Sequence, residues 1–429
     1  MTFSQPHYLT AAQIDAWAPD PEPLPGEPHA ARLTARLRET GQWHPGQAAG
    51  RRWAMGCVAL EVTQRCNLDC TLCYLSHHSQ GVPDLPLAEL LERIAGIRRH
   101  YGQGTEVQIT GGDPTLRDPE ELQQIVRAVR DAGMRPSLFT NGIRATRSLL
   151  RALAENGLAD VAFHVDMTQQ RRGYASERDL MVLREQYLER ARGLPLGVVF
   201  NTTVFAGNFA DVPEIVRFFR ERAGRITLAS FQLQADTGRS VLGGRPHFLT
   251  PHALAAQISR GAGMEVTFGF PAIGHGECNR YAICLEAGGR LYNLFAETPF
   301  LAEFVQRVRP MAFERGQSGG TLKAVFRVVL ADPRLWTRTI AFLAAKLWEM
   351  KGGLFRSRGR VNKLSFFIHN FMDASALEPE RCRACVFMVA TREGPLSMCL
   401  HNAKRDRYIL PAFTPNSPSA GTTSGAHRV

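Results

Sequence analysis

Three cysteines stand at spacings of four and three residues in Cys66-Asn67-Leu68-Asp69-Cys70-Thr71-Leu72-Cys73-Tyr74, just after the apolar run Val58 to Val62. Thiolates spaced in this way can converge where a loop wraps an iron–sulfur cube, and three ligands for four irons leave one iron open. Zinc is a competing reading: it asks for a fourth ligand, and His77 or His78 could supply one. A ferredoxin-like electron-transfer cluster is another. Close-set cysteines in a chain without a secretory pattern favour metal ligation over disulfides.

The elements that must position this triad follow from hydrophobic periodicity. Six short β-rich runs recur, at 58–62, 106–109, 137–139, 161–165, 196–200 and 226–231. Amphipathic stretches separate them, such as Pro119 to Asp131, where Leu122, Ile125, Val126 and Val129 recur at helical spacing. Six strand-then-helix units predict an α/β fold, a parallel sheet with right-handed crossovers curled into a partial (β/α)6 TIM-like barrel. Reactive groups then belong at the C-terminal strand ends. The triad follows the first strand there, Gly111-Gly112-Asp113-Pro114 the second, Thr140-Asn141-Gly142 the third and Asn201-Thr202-Thr203 the fifth. His164 and Asp166 alternate on the fourth strand and point to one side, either lining a site or forming a satisfied core pair.

Cys66, Cys70, Cys73 and the aromatic Tyr74 look like the signature of the radical S-adenosylmethionine (SAM) superfamily. Gly111-Gly112-Asp113-Pro114 resembles that family's Gly-Gly-Glu-Pro motif, with Asp113 where Glu is more usual. The likeness covers roughly residues 57 to 235. It implies a 4Fe–4S cluster on the triad whose open iron chelates SAM, and an electron donor such as flavodoxin or ferredoxin. It also implies reductive cleavage of SAM to a 5′-deoxyadenosyl radical that takes hydrogen from an unactivated carbon. The SAM pocket it implies comprises Tyr74, Gly111, Gly112, Asp113, Thr140, Asn141, Asn201, Thr203 and Gln232. Asn and Thr at strand ends are otherwise ordinary turn formers.

A second set of cysteines follows the barrel. Cys382 and Cys385 are spaced as in an iron–sulfur or zinc knuckle, and with Cys278 and Cys399 they would complete an auxiliary 4Fe–4S cluster. Cys284 is the spare or the substitute for Cys278; scattered buried thiols are the plainer alternative and account well for Cys57. Segments around Phe231 to Arg239, His275 to Cys278 and Arg383 to Asn402 look similar to tetraether lipid synthase and its relatives, radical SAM proteins that couple lipid chains. The archaeal members carry further N-terminal cysteines, and residues 1–56 here contain none. The resemblance implies a lipid or other hydrophobic substrate; a peptide- or protein-modifying maturase with an auxiliary cluster is the alternative.

The expected organisation is a helical leader over 1–52, the barrel over 53–240, a mainly helical cysteine-containing extension over 241–412, and a disordered tail over 413–429. Residues 301–365 are basic, and Thr321 to Gly352 reads as two amphipathic helices broken at Asp332-Pro333. Such helices can lie on an anionic membrane or pack with a solvated basic face. The 429 residues are 44% hydrophobic and 21% charged with a formal charge of +11, a globular composition suited to an anionic partner. No basic stripe with interleaved aromatics points to RNA, so no nucleic acid is expected. No apolar run reaches membrane-spanning length, which predicts a cytoplasmic protein or one attached peripherally to a membrane.

Overall fold

The structure, a computed structural model, describes residues 7–29, 31–49, 52–53, 56–240, 249–295, 299–308, 311 and 318–410. The expected tail lies outside them. Two short helices, α1 (Ala11–Ala16) and α2 (Ala31–Glu39), precede a sheet whose first six strands are β1 (Cys57–Thr63), β2 (Glu106–Gly111), β3 (Arg135–Thr140), β4 (Asp160–His164), β5 (Gly197–Val204) and β6 (Leu228–Leu233). Each is parallel to the next. Between them run α3 (Leu87–Tyr101), α4 (Pro119–Asp131), α5 (Arg147–Glu155), α6 (Leu180–Ala191) and α7 (Val212–Glu221); α8 (Pro251–Ala262) follows β6. The α/β partial barrel expected from the sequence is therefore present.

Local sequence explains these elements. In α4, the Asp118 carboxylate accepts from the backbone of Glu120 and Glu121, Pro119 occupies the first turn, and Leu122, Ile125, Val126 and Val129 are buried against the sheet. Within the strands, alternate residues divide between two environments. Val58, Leu60, Val62, Val107 and Ile109 pack outward beneath the helices, whereas Ala59, Glu61, Gln108 and Thr110 face an interior cavity. A lining this polar leaves the barrel hollow instead of filled by branched side chains.

The extension contributes strands as well as helices, which the sequence reading did not assign. They are β7 (Asn279–Ala287), β8 (Arg290–Asn293), β9 (Asn362–His369), β10 (Phe387–Thr391) and β11 (Gly394–Ser397). Strand β9 adds in parallel to β6, and β10 adds in parallel to β1, so eight parallel strands run from β9 round to β10. The antiparallel partners β7 and β11 cover the outer edges. Strands β9 and β10 are not neighbours in the sheet, but their side chains meet: the Phe367 and Phe387 rings are 5.9 Å apart, and His369 is 4.8 Å from Phe387.

Helices α9 (Pro299–Val308), α10 (Ser318–Leu330) and α11 (Pro333–Arg356) lie between β8 and β9, and the short α12 (Pro379–Arg383) and α13 (Met398–Ala403) flank β10 and β11. The expected break at Asp332-Pro333 separates α10 from α11, with the Asp332 carboxylate capping α11 through the Arg334 amide at 3.0 Å. The single apolar face expected on α10 is divided: Val329 is buried, while Phe326 and Leu330 are exposed.

Candidate active site

The triad loop hangs from the C-terminal end of β1 and is stitched to the end of β2. The Gly112 amide donates to the Thr63 carbonyl and the Asp113 amide to the Arg65 carbonyl, both at 2.8 Å. Gly111 has φ +122°, and a Cβ there would lie 2.0 Å from the Thr63 oxygen; at Gly112 it would lie 1.9 Å from the Arg65 oxygen. The two glycines thus let the β2 end approach the backbone that carries the cysteines. Further along, the Thr71 amide reaches the Thr168 carbonyl at 2.9 Å. Gly238 and Arg239 close the loop from the other side: the Arg239 amide donates to the Leu75 carbonyl at 2.8 Å and its guanidinium to the Leu68 carbonyl at 3.1 Å.

Cys66, Cys70 and Cys73 all line one cavity of about 1130 Å³. Burial pushes the Cys66 and Cys70 thiols up, their partners in the triad add to the rise, and the Arg239 guanidinium opposes it. The donor set fits an iron–sulfur cluster: three soft sulfurs on one loop, with a cation beside them to offset thiolate charge. His77 and His78 are exposed and outside the cavity wall, so neither joins the thiols as a zinc site would require. Among the described residues, no three His, Cys, Asp or Glu side chains are grouped as a single metal ion needs.

The other strand ends expected at the site converge on the same cavity. Tyr74, Gly111, Gly112, Thr140, Asn141, Asn201, Thr203 and Gln232 line it. Tyr74 donates its hydroxyl proton to the Gly111 carbonyl at 2.5 Å, so it braces the glycine turn. Asp113 is the correction. It is fully buried behind the wall, where its carboxylate accepts from the Thr115 amide at 3.0 Å, the Thr140 hydroxyl at 2.9 Å and the Asn141 amide at 2.8 Å. A motif residue expected to touch SAM instead ties the end of β2 to the end of β3. His164 and Asp166 split the two roles weighed for them. His164 lines the cavity, and the buried Asp166 holds its Nε2 at 2.7 Å, with the Thr203 hydroxyl at 3.1 Å from the same nitrogen. Burial pushes the Asp166 carboxyl up, and the His164 charge and hydrogen bonds more than reverse it.

Residues 60–219 match the family model described as the Radical SAM superfamily. The barrel is a radical SAM domain. Over 186 residues the chain is 27% identical to 7,8-dihydro-6-hydroxymethylpterin dimethyltransferase of Methanocaldococcus jannaschii, covering 42% of this chain and 36% of the relative. Over 187 residues it is 31% identical to a probable GTP 3′,8-cyclase of Pyrococcus abyssi, covering 43% and 58%. Among solved structures, Streptococcus suis SuiB bound to precursor peptide SuiA overlaps 50% of this chain and 45% of its own, at 16% identity and a TM-score of 0.35. The chain thus spans well under two thirds of each.

The radical SAM domain is completed by residues that spacing did not reveal. Glu61 on β1 meets Arg405, just beyond α13, through two contacts of 2.7 and 2.8 Å. The Arg405 guanidinium lies 4.7 Å from the centre of the Tyr74 ring. Burial alone would raise the Glu61 carboxyl, but Arg405 outweighs it and the group settles at about 2. Asn402 and Arg405 both line the cavity, so the C-terminal segment is part of the wall that carries the triad. A glutamate inside the apolar run Val58 to Val62 was the available signal.

In the second cysteine group Cys382 and Cys399 are buried, and Cys278 and Cys385 are partly so. Burial pushes the Cys278, Cys382, Cys385 and Cys399 thiols up, Cys278 to about 11, and Cys385 adds to the rise at the other three. The Arg381 guanidinium donates to the Cys278 sulfur at 3.1 Å. Cys284 stands apart in the core of the sheet, where burial alone pushes it to about 12. Cys57 is likewise buried on β1.

Proposed function

We propose that the chain cleaves SAM reductively and uses the resulting radical to remove a hydrogen atom from an sp³ carbon of a lipid or similar hydrophobic substrate. The carrying observation is the size of the cavity and the apolar side chains in its wall. At about 1130 Å³ it is larger than an ordinary ligand pocket of roughly 300–1,000 Å³, which leaves room for a substrate beside SAM. Thr140, Asn141, His164, Asn201 and Thr203 give it polar wall, and Ile273, Leu294, Val325, Phe371 and Phe387 give it apolar wall.

Cys66, Cys70 and Cys73 would hold a 4Fe–4S cluster, which would supply the electron needed for reductive cleavage of SAM. The chain's own residues do the rest. The glycine turn and Arg239 hold the triad loop, the strand-end amides and hydroxyls orient the polar SAM, and the apolar side chains of the wall exclude water from a hydrocarbon substrate. An auxiliary cluster on Cys278, Cys382, Cys385 and Cys399 would bind an intermediate or accept an electron after hydrogen abstraction. A peptide substrate is the second reading, favoured by those gathered cysteines, since C-terminal auxiliary clusters recur among peptide-modifying members of the superfamily.

The test has two parts. Anaerobically reconstituted protein given SAM and a reductant should form 5′-deoxyadenosine; absence of that product from the intact, iron-loaded chain would sink the radical reading. Lipid profiles of a deletion strain and its parent should then differ, and identical profiles beside an altered peptide would favour the second reading.

A further inference from the structure

The largest concentration of exposed apolar side chains lies away from the barrel, on α10 and α11. Among the described residues, eight of the fifteen exposed large hydrophobic side chains fall on these two helices. One side of α11 is packed: Leu335 and Met350 are buried, a Cβ on Gly353 would meet the Ala287 carbonyl at 2.6 Å, and Lys346 donates to the Asn293 carbonyl at 2.8 Å. Beside that packed side, Trp336, Ile340, Leu343 and Leu347 form an exposed stripe at helical spacing, continued by Trp348 at 71% exposure and Phe355 at 87%. A monomeric soluble surface rarely gathers apolar side chains in this way without a use for them.

Charge decides what covers the stripe. Residues 318–360 carry nine Lys and Arg against two acids, Asp332 and Glu349. Both acids are occupied, Asp332 by Arg307 at 3.0 Å and Glu349 by Lys346 at 2.7 Å. A second copy of this chain would set cationic surface against cationic surface across a two-fold axis. An anionic bilayer matches both properties: apolar side chains enter the acyl boundary while Lys and Arg reach the headgroups. Lys351, whose ammonium sits 3.4 Å from the Trp348 ring centre, pairs the two roles at one site. No helix among the described residues is long and apolar enough to cross a membrane, so such helices would lie along it.

The same helices reach the cavity. Val325 of α10 lines it, and the next residue, Phe326, points outward at 58% exposure. We propose that α10 and α11 form a docking face for an anionic membrane and that docking sets a portal to the cavity, beside Val325, against the lipid. The portal rests on the hydrophobic-substrate reading above; the docking face does not.

The experiment is co-sedimentation of the full chain with phosphatidylglycerol-containing vesicles and with pure phosphatidylcholine vesicles, at low and high salt. Binding should be at least about tenfold tighter to the anionic vesicles and should weaken at high salt. Leu343→Asp with Leu347→Asp should abolish it while the thermal transition stays cooperative. As a readout that needs no variant, tryptophan fluorescence should be quenched by brominated acyl chains. Equal, weak binding to both vesicle types, or no quenching, would overturn the docking face. So would a stable dimer that the double variant dissociates without any change in vesicle binding. Vesicle binding without any lipid product would leave the docking face standing and refute the substrate reading alone; lipid turnover without vesicle binding would do the reverse.

Discussion

The two groups of cysteines are held in different ways. Cys66, Cys70 and Cys73 sit within eight residues of one another on a loop that opens to the cavity and is fixed by backbone hydrogen bonds to the β2 end. Cys278, Cys382, Cys385 and Cys399 come from the start of β7, from α12 and its end, and from α13, and Cys382 and Cys399 lie in a small apolar cluster with Leu377, Leu396 and Leu400. The first group depends on close backbone approach, the second on packing between distant segments. Local spacing can therefore specify the first almost completely, whereas the second exists only once the extension has folded around the barrel.

The sharpest break of that comparison is a pair of substitutions. Cys70→Ala should abolish 5′-deoxyadenosine formation, while Cys385→Ala should retain it and lose the final product; chromatography of the reaction mixture reads both. Residual 5′-deoxyadenosine from Cys70→Ala at the wild-type rate would remove the triad from the reaction. Next in size is Gly112→Ala. Its Cβ would collide with the Arg65 carbonyl, so the loop must shift and iron loading at the triad should fall severalfold, read by iron analysis and the charge-transfer absorbance.

Iron counting sharpens the second group. If Cys278 is a ligand, Cys278→Ala should lower iron from about eight to about four per chain, and Cys284→Ala should leave it unchanged. The reverse pattern would exchange the two residues.

A smaller effect concerns the joint between the regions. Glu61→Gln leaves Arg405 buried without its anion and should cost about 3 kcal/mol of stability in urea titrations at neutral pH. The sign with pH follows from the folded carboxyl at about 2 against its ordinary 4.5. A depressed carboxyl stabilises fully above about 4.5, and that contribution is lost as pH falls towards 2. The wild type should therefore lose stability over that interval more steeply than Glu61→Gln.

Six strands and their helices were legible because β-rich runs and 3.6-residue periodicity are local signals. The triad and glycine turn were legible for the same reason. The direction of the Asp113 side chain was not legible because a strand-end motif names neighbours without saying which way each points: the backbone turn after Gly112 aims its carboxylate behind the wall, at Thr115, Thr140 and Asn141. Arg405 was not legible, since it is separated from Glu61 by 344 residues and only the folded chain brings them together. Strand β9 was missed because Leu364 to Ile368, a fair β-run, directly follows a long basic helical stretch and was absorbed into it. The polar inward faces of β2 and β3 resemble solvated faces in sequence, and in the structure they line a hollow.

The ring contact between β9 and β10 has a mechanical consequence. Eight parallel strands make the staves of a cask, and seven of the joints between neighbours are fastened by backbone hydrogen bonds. Beyond β9 and β10 the sheet continues into β7 and β11, and among the described residues the two sides of the gap meet through the rings of Phe367, His369 and Phe387. Rings can slide apart without breaking a ladder, so this is where the cask can loosen with the least loss of backbone hydrogen bonding.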